Sequence, residues 1–318
     1  MRVFSVELKA LGEISQLPDS QKLFGALVYF LKQNGRNENH VSSFVKRIKD
    51  RDIYLSLSNL MPNGYLPVPK SYLESRAKNP QSDDGKAVYH ALKKRDFATK
   101  EWIANYQNEY ETISEASKAD DYISLKVAQQ VHINTDGRDE NTGETKNLVF
   151  SVQRTILKYN HEDKYFGECQ FYIRCENSCE IIDLLKANLG YIFTLGKRSS
   201  QGYNLFKLIR VSERGDIEQL YTDSINTYLN LGMLLPHEIN FIDPNSFLDL
   251  FSSERRTFSS DKWNDSVNRG YFISFIAAGS IVVTDSVMTA GKCVLAPGGR
   301  GKDGEIAFGN AFLLPWRV

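Results

Sequence analysis

From Arg2 to Lys9 the chain alternates, with Val3, Ser5 and Glu7 on one face and Phe4, Val6 and Leu8 on the other. That period of two predicts a strand at a sheet edge or half-buried. Asp19-Ser20 then offer N-cap candidates for a helix over 21–34, which Gly35 ends. Leu23, Leu27, Phe30 and Leu31 share one face of it, so it packs on a sheet. A more polar helix follows over about 40–50, and Ile53 to Leu57 reads as a strand. Pro62, Gly64, Pro67 and Pro69 predict an extended, turn-rich passage without regular structure. Residues 71–125 read as a helical, strongly charged insertion with no core of its own. Alternation resumes over 126–134 and 147–158, around the polar loop TDGRDENTGETK, and predicts a long protruding β-hairpin. A strand over 165–175, a helix capped by Asn177-Ser178 and closed by Gly190, and a strand over 203–211 complete this half.

The order strand, helix, strand, insertion, strand, helix, strand is that of the split βαβ, or ferredoxin-like, fold. Residues 1–211 therefore read as one α+β domain, carrying the insertion at about 71–125 and the hairpin at about 126–158. After residue 212 the pattern changes to strands near 224–234, 271–284 and 291–296, with glycine-rich turns and few helices. Residues 212–318 are taken as a second, mostly β domain and a degenerate copy of the first.

Composition narrows the function classes. Lys plus Arg and Asp plus Glu number 39 each, so the net charge is zero. A free-standing nucleic-acid binder usually carries a basic excess, so any RNA site must rest on local patches. The spacing of Cys169, Cys175, Cys179 and Cys293 fits no common zinc knuckle, which predicts reduced thiols, no metal and no cofactor. The N-terminus lacks a signal-peptide apolar core, and no window is long enough to span a bilayer. A cytoplasmic protein with no membrane contact is expected.

The segment richest in chemistry runs Leu195-Gly196-Lys197-Arg198-Ser199-Ser200-Gln201-Gly202-Tyr203-Asn204-Leu205-Phe206. Gly196 and Gly202 would let backbone amides approach an anion. Lys197 and Arg198 supply charge, Ser199 and Ser200 supply hydroxyls, and Tyr203 offers a ring for stacking. Gln201 completes the turn. It is not a Walker A loop, because no Gly-Lys-Ser/Thr opens a helix.

This loop resembles the glycine-rich loop of the RAMP superfamily of CRISPR proteins. Three more segments resemble its type III-A Csm-four branch: Leu17 to Leu27 (LPDSQKLFGAL), Leu57 to Lys70 (LSNLMPNGYLPVPK), and His132 to Leu148 with Thr142-Gly143. Phe275 to Ser280 (FIAAGS) adds a weaker match. The sequence departs from the pattern at Leu195, Gln201 and Asn204, where relatives carry other residues, often glycine. Asn tolerates the left-handed conformation that such a glycine would supply.

The resemblance implies tandem ferredoxin-like (RRM-like) RAMP domains and a non-catalytic subunit of an antiviral interference complex. Its implied partners are the 5′ tag of the CRISPR RNA, the large Cas-ten-type subunit and the Csm backbone RAMP subunit. It makes the hairpin around 131–150 a thumb that kinks the guide. Ser20 and Lys22 in the first-helix signature, and His132 and Arg138 on the hairpin, join the candidate RNA-binding set. So do the basic clusters Arg255-Arg256, beside Phe258, and Arg300 with Lys302 in PGGRGKDG. Lys46-Arg47 and Lys93-Lys94-Arg95 are further candidates for phosphate contacts, although most charge runs on helices are solvated faces. Three alternatives stay open: an RNA-processing endoribonuclease using one of His40, His90, His132, His161 or His237, a protein-only scaffold, and the type III-B Cmr-three equivalent.

Overall fold

The computed structural model describes residues 1–76, 90, 93–99, 101, 122–138, 145–159, 167–196, 198–222, 224–255, 271–295 and 306–316. The chain opens with β1 (Arg2–Ala10), α1 (Ser20–Gln33), α2 (Glu38–Lys49), β2 (Leu55–Leu57), β3 (Met61–Pro62) and β4 (Tyr65–Pro67). Then come α3 (Lys70–Arg76), β5 (Phe97–Thr99), β6 (Tyr122–Arg138), β7 (Thr145–Tyr159), β8 (Glu168–Cys175), α4 (Glu180–Ala187), β9 (Ile192–Thr194) and β10 (Leu205–Glu213). The remainder is α5 (Gly215–Glu218), β11 (Thr227–Asn230), β12 (Leu250–Arg255), β13 (Tyr271–Ile276), β14 (Ile281–Val283), β15 (Val294–Leu295), β16 (Ile306–Ala307) and β17 (Leu313–Pro315).

β1 is not an edge strand but the middle one of the main sheet, in the order β2-β8-β1-β10-β9, with β3 also pairing with β8. Val6 lies opposite Phe171 of β8 and Leu8 opposite Leu208 of β10, both antiparallel. This is the split βαβ order that the sequence pattern predicts. Phe4, Val6 and Leu8 are buried beneath Leu27 and Phe30 of α1, Ile48 of α2 and Ile181 of α4. The opposite face of the sheet is mixed. Glu7 binds Arg210 there, while Val3 and Tyr172 pack on Leu229 and Phe312 from the C-terminal half.

Of the two cap candidates, Asp19 caps α1: its carboxylate accepts the Lys22 N–H at 2.9 Å. Ser20 is the first helical residue. Gly35 takes φ +85 just past the helix, as a left-handed terminator should. The second helix starts slightly earlier than expected, because the Asn37 side chain accepts the His40 N–H.

Two expectations need correction. The proline-rich passage contains short strands, β3 and β4, on either side of an Asn63-Gly64 turn where Gly64 has φ +83. Pro62 and Pro67 sit at strand ends, positions where a missing N–H is tolerated. The insertion is not wholly helical either. Phe97–Thr99 forms a strand between β4 and β6, and Leu73 and Ala98 are buried in the second core. Its charged neighbours Lys93, Lys94, Arg95 and Asp96 conceal so short a strand. Residues 77–89, 91–92, 100 and 102–121 of the expected insertion lie outside the described residues.

The hairpin is present and reaches further at its root than the alternation suggests. Its pairing runs from Ile123 opposite Tyr159 to Arg138 opposite Thr145. In the C-terminal half, β11 lies between β14 and β17, while β12 with β13 and β15 with β16 form separate pairs. A second split βαβ order is not found among the described residues there. Phe308 is drawn into the N-terminal core, stacked on Phe24 of α1 at 4.4 Å. The four cysteines are free, with Cys169 and Cys175 buried in β8. No helix among the described residues is long and apolar enough to cross a membrane.

Candidate nucleic-acid interface

Because β1 and β10 run antiparallel, the loop leaving β1 lies beside the loop entering β10. These loops, 11–16 and 195–204, are joined along their length. Leu11 N–H donates to Leu205 C=O at 2.9 Å, and Asn204 N–H donates to Glu13 C=O at 2.9 Å. The Asn204 side chain, 1% exposed, accepts the Ser15 N–H at 2.9 Å and donates to the Ser15 hydroxyl at 2.8 Å. A Cβ on Gly12 would lie 2.2 Å from the Gly202 carbonyl oxygen, so only glycine permits this approach.

The glycine-rich segment itself is a tight turn. Arg198 (φ 64), Gly202 (φ 84) and Asn204 (φ 56) are all left-handed, with a 3-10 turn at Ser199–Gln201 between them. Asn204 thus does what a glycine would do at that position, as its tolerance of that region suggests. The two glycines play different structural parts. Gly202 supplies a left-handed residue, whereas Gly196 makes room for the Asn204 amide, whose Nδ2 would sit 2.8 Å from an added Cβ. Three amides of the loop serve the turn. Gln201 and Tyr203 N–H donate to Arg198 C=O, and Gly202 N–H donates to Ser199 C=O. The N–H groups of Ser199 and Ser200, which open the 3-10 turn, bond to none of the described residues.

The tip stays accessible while its base is anchored. Gly196, Ser200, Gln201 and Gly202 are exposed, and Arg198, Ser199 and Tyr203 are half-buried. Arg198 donates to the Gln201 side chain at 3.3 Å. The neighbouring Glu13 carboxylate pushes the Tyr203 hydroxyl above the ordinary phenol range. Glu13 also pairs with Arg154 of β7 at 3.0 Å. One residue on, Thr155 N–H donates to Ile14 C=O at 2.7 Å and its hydroxyl donates to Ser15 C=O at 2.9 Å. The loop is therefore tied, through 13–15, to the root of the hairpin.

Glu13, Ser15, Arg154 and Thr155 were not among the sequence candidates. Ser15 and Glu13 follow from the antiparallel neighbours of β1, but nothing local in the sequence marks Arg154. Ser20 needs correction as a surface contact: it is fully buried, and its hydroxyl accepts the Met233 N–H at 3.0 Å. Lys22 lies beside the same loop and donates to the Gln16 side chain at 2.9 Å. His132 and Arg138 sit on β6, and Arg255 ends β12, but the side chains of all three lie outside the described residues. So do Lys197, Arg256, Arg300 and Lys302.

Two described histidines have acidic neighbours. His40 Nε2 lies 2.8 Å from Glu180, while His237 lies 3.7 Å from Glu238. Burial pushes the Glu180 carboxyl up, but hydrogen bonds from His40 and Arg36 outweigh it and hold the group below its usual range. Glu180 opens α4 just after the end of β8 that pairs with Arg2, whereas the turn lies at the other end of β1. At about 3.3 Å per residue, β1 separates them by roughly 30 Å. Among the described residues no three His, Cys, Asp or Glu side chains group as metal ligands.

The architecture is a mixed α/β fold with antiparallel sheets, a central split βαβ sheet and a projecting hairpin. Solved type III-A CRISPR–Cas structures share it. Over 100% of both chains, the protein matches a chain of the Csm3–Csm4 subcomplex of the type III-A interference complex at a TM-score of 0.55 and 16% identity. It matches a chain of the Csm1–Csm4 cassette in complex with cA4 at 0.56 and 12%, and one of the same cassette with pppApA at 0.55 and 15%. Those two matches cover 100% of this chain and 99% of the other. No protein-family model matches the sequence, nor does any curated protein. At the level of the fold, the resemblance read from the loop and the three segments is borne out.

Proposed function

We propose that the chain is a subunit of a type III-A CRISPR interference complex that holds the 5′ tag of the guide RNA without cleaving it. On this reading it is the Csm-four-like member. It contacts a large Cas-ten-type subunit and a backbone RAMP subunit, and residues 212–318 form a degenerate second RAMP domain after the first at 1–211. The observation that carries the reading is the turn at 196–203. Its base is fixed by Asn204 and Ser15 while its tip offers Arg198, the Ser199 and Ser200 hydroxyls and Tyr203. A donor-rich tip on a rigid base suits a bent phosphodiester chain, because little ordering entropy is lost on binding. The full-length likeness to chains from Csm assemblies supports the same reading. Arg154 joins the proposed set, since a phosphate that displaces Glu13 would meet its guanidinium.

Lys197→Ala with Arg198→Ala is the direct test, with guide-RNA retention by the assembled complex measured against salt concentration. The expected result is weaker retention and a salt slope shallower by about one for each phosphate no longer neutralised, roughly two in all. Retention equal to the parent at every salt concentration means that the turn is not the RNA site. Incubating the purified protein with repeat RNA, with and without Mg²⁺, is expected to leave the RNA intact. Site-specific cleavage abolished by a histidine substitution would replace this proposal with the endoribonuclease reading.

A further inference from the structure

Near its end, β8 sends a cation into the C-terminal half. Arg174 lies opposite Ser56 of β2 and Val3 of β1, on the sheet face where Val3 and Tyr172 pack on Leu229 and Phe312. It is 8% exposed, and Ser56 is 1% exposed. The guanidinium covers the Tyr221 ring at 3.8 Å from its centroid, with the Tyr54 ring at 5.9 Å. Tyr228 of β11 is stacked on Tyr221 at 6.4 Å. All three tyrosine hydroxyls donate to the main chain of the C-terminal half: Tyr54 to Val287 C=O, Tyr221 to Leu313 C=O and Tyr228 to Ile225 C=O.

Among the described residues Arg174 has no ion-pair partner. Glu176, two positions along the chain, accepts the Tyr54 N–H at 3.1 Å, and Glu218 of α5 pairs with the N-terminal ammonium at 3.8 Å. Nor is a tyrosinate the counter-ion. Burial pushes the hydroxyls of Tyr54, Tyr221 and Tyr228 above the ordinary phenol range, against the pull of Arg174, so each stays neutral. Two ring faces offset only part of the cost of a buried cation. Nε and Nη1 of Arg174 and Oγ of Ser56 also make no hydrogen bond with the described residues and are closed to solvent. Two side chains left so, directly across one strand pair, call for a further group between them. Guanidinium N–H groups only donate and the Ser56 hydroxyl has a proton to give, so that group must accept. A water molecule would accept but leave the charge. An anion does both, and the enclosure of those three atoms limits it to a single small atom.

We propose that Arg174 and Ser56 form a site for a small monatomic anion, chloride under ordinary ionic conditions, at the junction of the two halves. The anion neutralises the guanidinium that the N-terminal sheet inserts among the tyrosines, and it accepts the Ser56 hydroxyl. Chloride therefore tightens the junction, since the folded protein binds it and the unfolded chain does not. The inference does not depend on the RNA reading of the turn.

The test is thermal unfolding of the full chain, with sodium gluconate exchanged for sodium chloride at constant ionic strength. The midpoint is expected to rise saturably with chloride, and with bromide in its place. Arg174→Met should lose this dependence. Ser56→Ala removes one hydroxyl, so it should keep the parent's circular dichroism and need about tenfold more chloride for half of the rise. Crystals grown in bromide should give an anomalous peak between Arg174 and Ser56. A midpoint indifferent to chloride overturns the proposal, as does a chloride response in S56A equal to the parent's. So does an ordered water in place of the bromide peak. Phosphate that raises the midpoint as much as chloride, and only while Arg174 is present, overturns the assignment to a monatomic anion. The K197A/R198A variant should respond to chloride like the parent, so a failure of the RNA proposal leaves this result unchanged.

Discussion

Replacing Phe308 with alanine is expected to lower the unfolding free energy by about 3–5 kcal/mol, the range for deleting a buried phenyl ring. Phe308 is fully buried, lies 4.4 Å from Phe24 with only 10° between the rings, and belongs to the core beneath α1. Its backbone is tied to the same helix, because Gln21 donates to Phe308 C=O and accepts its N–H. The ring thus joins the last part of the chain to the first helix, and the cavity left by alanine cannot collapse onto a surface loop. Urea unfolding should show a lower midpoint with one cooperative transition. An unfolding free energy within about 0.5 kcal/mol of the parent would show that the two halves do not share this core.

The second large effect is expected at Asn204. Alanine there loses two hydrogen bonds to Ser15, orphans a part-buried N–H, and must hold φ 56 with a Cβ. Together these cost about 2–4 kcal/mol of local stability. Glycine tolerates the dihedral but still loses the bonds, so N204G should fall between the parent and N204A. If the turn holds RNA as proposed, retention falls in the same order, while the hairpin stays folded. N204A binding RNA like the parent would mean that the fixed base of the turn is irrelevant to its ligand.

The sequence made some of this legible and hid the rest for physical reasons. Alternation in Arg2–Ala10, the Asp19 cap and the Gly35 terminator were readable because each is a local signal on a long element. The left-handed Asn204 was readable from a single departure from the glycine pattern. Phe97–Thr99 was not, since three strand residues beside a charged run give no period. The loop at 195–204 was legible by its chemistry, but the packing role of Gly196 was not. Gly196 accommodates a side chain that only the fold brings near it. Ser20 looked like a surface hydroxyl beside a cap and is instead buried on Met233, a partner 213 residues away. Arg154 carries no local mark, because its meaning arises from the pairing of Thr155 with Ile14 across the chain.

Photocrosslinking is the most direct test of the central claim. A guide RNA carrying 4-thiouridine in its 5′ tag would be assembled into the intact complex, irradiated and mapped by mass spectrometry. Adducts confined to peptides spanning 196–203 and Arg154, on RNA of unchanged length, are the predicted result. Tag adducts found only on other subunits, or only on segments of this chain distant from that turn, would contradict the account.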